Sequence, residues 1–131
     1  GKLGYNFGVQ GMQFTATSTT AENQTLAFPM YVHSIPNNND NQDIVSMGTN
    51  AALLAKKVID NSFQVMSIEA VAIAQGVDSL GCRSKMSVAG QKFYDTVRKH
   101  LATFEDDKPR SKQLADLADF LHENDPQIEI F

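Results

Sequence analysis

An all-α fold is predicted by three observations on this chain of 131 residues. Apolar residues recur every three to four positions through most of its length, the spacing of one helix face. Almost nothing alternates with period two before the closing Asn-Asp-Pro-Gln-Ile-Glu-Ile-Phe tail. Phe28-Pro29 and the charged Glu-Asp-Asp-Lys-Pro run then cut the pattern into segments of helical length.

Taken in order, glycines at positions 1, 4, 8 and 11 loosen the start. Residues 12–26 are predicted helical, with Met12, Phe14, Ala16 and Ala21 among polar neighbours. The helix closes at Phe28, because a residue before proline is pushed out of the α region. Residues 30–41 form a long polar connection, and loops of that length in compact proteins tend to be functional or disordered. Residues 43–80 are expected to form one long helix, with Gly76 as a candidate break and Asp43 at the N-cap or in the first turn. Its apolar stripe would run through Ile44, Met47, Ala51, Leu54, Val58 and Val65, and Gly48, Ala51, Ala52 and Ala55 would let another helix approach closely. Between Asn61 and Val77 the only charged residue is Glu69. A helix apolar nearly all round is buried on every side, which implies cover by other chains or by a further part of the protein. After a Gly-Cys-Arg-Ser turn, residues 89–104 form an amphipathic helix with Phe93, Val97 and Leu101 on one side. Ser111 is the expected cap of a last helix through Leu114, Leu117, Phe120 and Leu121, and the tail is expected to be extended.

The chain has the size of one domain. A net charge of -4, with no stripe of Lys or Arg, argues against a nucleic-acid partner. Cys82 is the single cysteine, so no intrachain disulfide forms, the usage expected of a cytoplasmic protein. No apolar run approaches the roughly 20 residues that cross a bilayer, and no secretory signal opens the chain. Its start, Gly1-Lys2-Leu3-Gly4, reads instead like the interior of a larger protein.

Most candidate sites have a plainer explanation. His33, His100 and His122 share no metal-ligand spacing, so no metal is expected. His100 suits the dipole of a helix C-terminus, and Cys82 has no local histidine to activate it. The five methionines suit packing, and the glycines at 4, 8 and 11 follow no predicted strand, so they make no phosphate loop. Glu105, Asp106 and Asp107 are most simply a solvated charge run. One stretch resists such dismissal: Ser-Ile-Pro-Asn-Asn-Asn-Asp-Asn-Gln-Asp-Ile-Val-Ser-Met-Gly, residues 34–48. It is either a hydrophilic loop with local Asx turns or a set of neutral hydrogen-bonding groups beside the N-terminus of the long helix.

This stretch closely resembles the signature near the C-terminal end of the aromatic amino acid ammonia-lyases and their aminomutase relatives. Histidine ammonia-lyases show a similar Ser-Ile-Pro followed by Gln-Glu-Asp-His-Val-Ser-Met-Gly, and phenylalanine lyases show His-Asn-Gln-Asp-Val-Asn-Ser-Leu-Gly. The tyrosine-directed bacterial members look most like the version here. The likeness continues upstream through residues 5–29 and downstream to Ala-Gly-Gln-Lys-Phe-Tyr-Asp-Thr-Val-Arg-Lys-His and Glu-Asp-Asp-Lys-Pro, weakening toward the tail.

The resemblance implies that residues 1–131 are the C-terminal helical portion of such an enzyme, part of a homotetramer with a long-helix bundle at its centre. It implies the prosthetic group 4-methylidene-imidazole-5-one, formed in these enzymes from Ala-Ser-Gly. That tripeptide is absent here. By the same resemblance Gln42 is the catalytic candidate, standing where histidine lyases have a glutamate and phenylalanine and tyrosine lyases a glutamine. Asn41 is its neighbour in the signature. Asn38 falls where phenylalanine lyases carry a glutamate near the substrate amine, and Gln10 where they carry a lysine near that glutamate. These four residues imply an aromatic L-amino acid, tyrosine before histidine, losing ammonia to give an arylacrylate. A 2,3-aminomutase that returns the ammonia to the β-carbon fits equally. From another class, a non-catalytic helical module for self-association describes the isolated chain.

Overall fold

The computed structural model describes residues 5–124, and the tail for which an extended form was expected lies almost wholly outside them. Among the described residues there are four α-helices and two short 3₁₀ turns, so the all-α class holds. Helix α1 spans Gln10–Leu26, α2 Gly48–Leu80, α3 Val88–His100 and α4 Ser111–Glu123. The 3₁₀ turns lie at Met30–His33, inside the long connection, and at Arg83–Lys85, between α2 and α3. No helix among the described residues is long and apolar enough to cross a membrane.

The other helices pack on α2. Its core face presents Ala70, Val71 and Ala74, whose small size admits Val97 of α3, Leu101 and Phe104 of the following loop and Leu117 of α4. Val71, Val97 and Leu117 are completely buried. Burying a side chain of that kind stabilises by about 1.5–3 kcal/mol. Helix α1 packs Met12 on the same core and adds a polar seam. Asn61 Nδ2 of α2 donates to Glu22 (2.8 Å) and Asn23 (2.9 Å), while Thr19 Oγ1 meets Gln64 at 3.3 Å. These pairs match higher numbers on α1 with lower numbers on α2, so the two helices run antiparallel.

Three helix boundaries depart from expectation. Helix α2 starts at Gly48, not Asp43, because the backbone before it is committed elsewhere. The N–H of Val45 donates to Ser34 Oγ at 2.8 Å, and Met47 takes a left-handed conformation (φ 54°). Asp43 is therefore not an N-cap, and Ile44, placed on the apolar stripe, is exposed. Ser111 is the first residue of α4 rather than its cap; Arg110 holds that position and makes no capping bond. Helix α3 stops at His100 because Leu101 turns extended and its carbonyl accepts from Arg98 Nη1 at 3.2 Å. Gly76 does not break α2. The true end comes at Gly81 (φ 57°), where the N–H groups of Gly81 and Cys82 return to the carbonyls of Asp78 and Val77.

The stretch 61–77 is buried on one face only. Ile59, Met66, Ile73 and Leu80, spaced every seventh residue, are exposed by 48%, 48%, 53% and 78%. None of the described residues covers that stripe, and the first ten residues of α2 are likewise exposed save for half-buried Leu54.

One ionic cluster joins α2 to α3. Asp78 accepts from Tyr94 Oη, from Thr103 Oγ1 at 2.7 Å and from Arg98, whose Nη2 also reaches Gln75 at 3.0 Å. Burial opposes ionisation of Asp78, but the hydrogen bonds from Tyr94 and Thr103 and the charge of Arg98 outweigh it and hold the carboxyl below its usual range. A lowered folded-state pKa gives stability that is present above the unfolded value of about 3.9 and is lost as pH falls through the folded value. Asp78→Asn is therefore expected to cost about 1–3 kcal/mol at pH 7, the desolvation penalty for stranding part of a half-buried network. The difference between wild type and variant should narrow at pH 3. Urea unfolding at the two pH values measures it, and an equal gap at both would contradict this assignment.

Candidate functional site

The amide run folds into a tight hairpin. Asn37 and Gln42 pair as an isolated antiparallel bridge, with N–H to carbonyl distances of 3.0 and 3.3 Å. Between them Asn38, Asn39 and Asp40 all have positive φ, at 51°, 55° and 61°, and Asn41 N–H donates to the Asn38 carbonyl at 3.2 Å. Among residues with a side chain, only asparagine and aspartate visit this left-handed region routinely; others pay about 1–2 kcal/mol each. Ser34 closes the base of the loop, with its hydroxyl accepting from Val45 N–H and donating to the Asp43 carbonyl at 3.5 Å.

This geometry separates two roles within one run. Backbone demands account for Asn39 and Asp40 and give a sufficient reason for Asn38. They do not account for Asn41 or Gln42, which are not left-handed. Glutamine in particular has no special fitness for a turn. The side chains of Asn38, Asn41 and Gln42 are exposed and make no hydrogen bond among the described residues. Tyr31, Ile35 and Ile44 nearby are also exposed, at 72%, 66% and 86%. A free amide set among uncovered apolar side chains is what one wall of a site looks like when the opposing walls come from elsewhere.

The structure therefore gathers Asn38, Asn41 and Gln42 in one hairpin. Gln10 stands apart as the first residue of α1, exposed, with no hydrogen bond to the hairpin. Five non-helical residues, 43–47, separate Gln42 from the first residue of α2.

The histidines engage aromatic rings: His33 meets Phe28, His100 meets Phe120 and His122 meets Phe63 edge-on at 4.7 Å. Among the described residues no group of three or more His, Cys, Asp or Glu side chains could hold a metal ion. The charged run before α4 is solvent-exposed, as expected, but it also makes specific contacts. Asp106 pairs with Lys108 and Arg110, and Asp107 accepts from the backbone of Phe7 (2.7 Å) and Gly8 (3.1 Å). No local pattern signals that last contact, since its partners lie about a hundred residues apart in the chain.

A family model described as aromatic amino acid lyase matches residues 1–99. The chain belongs to that family. It is 36% identical over 121 residues to the MIO-dependent tyrosine 2,3-aminomutase of Streptomyces globisporus, covering 92% of this chain and 22% of that protein. It is 37% identical over 129 residues to a tyrosine ammonia-lyase of Cereibacter sphaeroides, covering 96% of this chain and 24% of the relative. The crystal structure of the S. globisporus tyrosine aminomutase superposes with a TM-score of 0.87 at 36% identity, over 92% of this chain and 23% of that one. The chain thus spans less than a quarter of the length of these relatives.

The turn assignment is open to a direct check. Asn39→Gly should leave the hairpin intact, whereas Asn39→Val forces a β-branched residue into the left-handed region at a cost of about 1–2 kcal/mol. Hydrogen exchange at the Gln42 amide, which bonds to the Asn37 carbonyl, should quicken in the valine variant only.

Proposed function

We propose that residues 1–131 are the C-terminal helical portion of an aromatic amino acid ammonia-lyase, and that the complete enzyme removes ammonia from an L-amino acid, tyrosine foremost, to give an arylacrylate. The observation that carries this reading is the Gln42 side chain: a neutral amide in the family signature, unexplained by local structure and without a hydrogen bond among the described residues. The amide at 42 also argues against histidine, since histidine-directed members carry a carboxylate there that suits an imidazole. The aminomutase reading has equal support, and identity does not separate the readings: a tyrosine aminomutase, a tyrosine ammonia-lyase and a histidine ammonia-lyase match at 36%, 37% and 36%.

The complete enzyme is proposed to use 4-methylidene-imidazole-5-one, which when present supplies the electrophile that makes the substrate amine a leaving group. Its Ala-Ser-Gly precursor does not occur in this chain. Of the residues present, Gln42 and Asn41 fit a place beside it, since their exposed amides keep both donors and acceptors available. Asn38 and Gln10 fit the substrate side, where two amides offer hydrogen bonds without a net charge. The poorly acidic β-proton needs a base from elsewhere in the enzyme.

Assembly belongs to the same proposal. The stripe Ile59, Met66, Ile73 and Leu80 needs cover, and copies of the full protein packed as a central helix bundle, in a homotetramer, would supply it. By itself the 131-residue chain is expected to self-associate and to turn nothing over.

The deciding experiment incubates the full-length protein with tyrosine, phenylalanine and histidine. Ultraviolet absorbance reads arylacrylate and chromatography reads β-amino acid. No conversion of any of the three would end the reading. Gln42→Ala should lower kcat by roughly 10²–10³, the loss that follows removal of one preorganised polar contact. Asn38→Glu alone should harm activity more than Asn38→Glu with Gln10→Lys, because a single introduced charge lacks its partner. The double variant should also shift preference from tyrosine toward phenylalanine. Separately, Ile73→Glu should shift the full-length protein to smaller species in sedimentation.

A further inference from the structure

Helix α1 carries Gln10 but supplies no cap of its own. Its N-cap residue is Val9, no side chain bonds to its first turn, and that turn holds no acidic residue. The turn just ahead of the helix is held instead from the loop before α4, where the two carboxylate oxygens of Asp107 accept separately from Phe7 N–H (2.7 Å) and Gly8 N–H (3.1 Å). The Phe7 carbonyl in turn accepts from the Gln10 N–H at 3.1 Å, so the turn that Asp107 grips is the one that sets the backbone of Gln10. Gly8 takes φ 60° there, a conformation that leaves its N–H free to face the carboxylate. A second bond reinforces the clamp, from Asn6 Nδ2 to the Glu105 carbonyl at 2.8 Å.

The loop is itself held firmly. Phe104 is buried, its carbonyl accepts from Gln75 Nε2 of α2, and the Arg110 guanidinium lies 4.2 Å from its ring centre. Arg110 also donates to the Asp106 carboxylate (2.8 Å) and carbonyl (3.2 Å). The core of α2 thus fixes Phe104, Phe104 and Arg110 fix the loop, and the loop fixes the start of α1. The carboxylate is also favourably placed for the positive end of the α1 dipole. Asp107 lies beyond the residues matched by the family model.

We propose that Asp107 is a positioning residue for Gln10: its carboxylate anchors the turn from Phe7 to Gln10 and so sets where the Gln10 amide meets the substrate. The inference rests on the proposed function, which puts Gln10 on the substrate side of the site. Asp107 touches no substrate and acts only through α1. A misplacement of an ångström near the chemistry is enough to cost an enzyme up to 10²-fold.

The test measures kcat and KM of the full-length enzyme for tyrosine and phenylalanine in wild type, Gln10→Ala, Asp107→Ala, Asp107→Asn and Gln10→Ala with Asp107→Ala. Asp107→Ala is expected to lower kcat/KM for the preferred substrate about 10-fold. It should move the tyrosine-to-phenylalanine ratio in the same direction as Gln10→Ala. Asp107→Asn keeps one carbonyl acceptor and should recover part of the ratio. In the Gln10→Ala background Asp107→Ala should change the ratio no further. A merely structural role would lower turnover of both substrates equally and leave the ratio alone, and that result overturns the proposal. A ratio shift of the same size without Gln10 overturns it too. Either result leaves the functional reading standing, whereas a wild-type enzyme that turns over no aromatic amino acid removes both.

Discussion

The whole arrangement depends on one buried face of α2. Between Asn61 and Val77 that helix offers small residues, Ala70, Val71 and Ala74, at the point where α3, α4 and the loop between them converge. Larger side chains there would hold the helices apart, and Leu117 and Val97 could not be buried completely. The polar rim of the same helix does further work. Asn61 and Gln64 hold α1, Asp78 and Gln75 hold Arg98, and Gln75 also reaches the Phe104 carbonyl.

From that face, order passes outward through charge-assisted hydrogen bonds as well as apolar contact. Arg98 secures the Leu101 carbonyl, Arg110 secures Asp106, and Asp107 secures the start of α1. The guanidinium groups of Arg98 and Arg110, largely shielded, resist solvent screening better than the exposed lysines of the pairs Lys56–Asp60 and Lys112–Asp116, which contribute little. The opposite face of α2 has no such support among the described residues. Its exposed heptad stripe and its uncovered first three turns fit a protein whose remaining surfaces are supplied by further chain and further copies.

The amide hairpin shows how one composition can serve two demands. Left-handed backbone at three successive residues favours asparagine, aspartate or glycine for steric reasons, and in the proposed site Asn41 and Gln42 would supply neutral donors and acceptors. On the proposed function, an aromatic substrate with a neutral ring would gain hydrogen bonds from such groups with no buried charge left uncompensated. The exposed position of every amide side chain, and of the apolar residues around them, is consistent with a site completed by the rest of a longer enzyme.

The sequence by itself determined the four helices, the all-α class and the family, because helical periodicity and a contiguous signature are local properties of the chain. Left-handed turn chemistry was also legible there, in Asn-Asn-Asp and in Gly81. Only the tertiary structure decided where α2 begins, since Ser34 competes for the Val45 N–H from eleven residues away. Only the tertiary structure turned Asp107 from a surface charge into the anchor of a distant helix, and showed that the apolar stretch 61–77 is covered on a single face. The physical reason is common to all three. Hydrogen-bond competition, long-range capping and burial depend on which segments meet in space, and neither periodicity nor composition records that meeting.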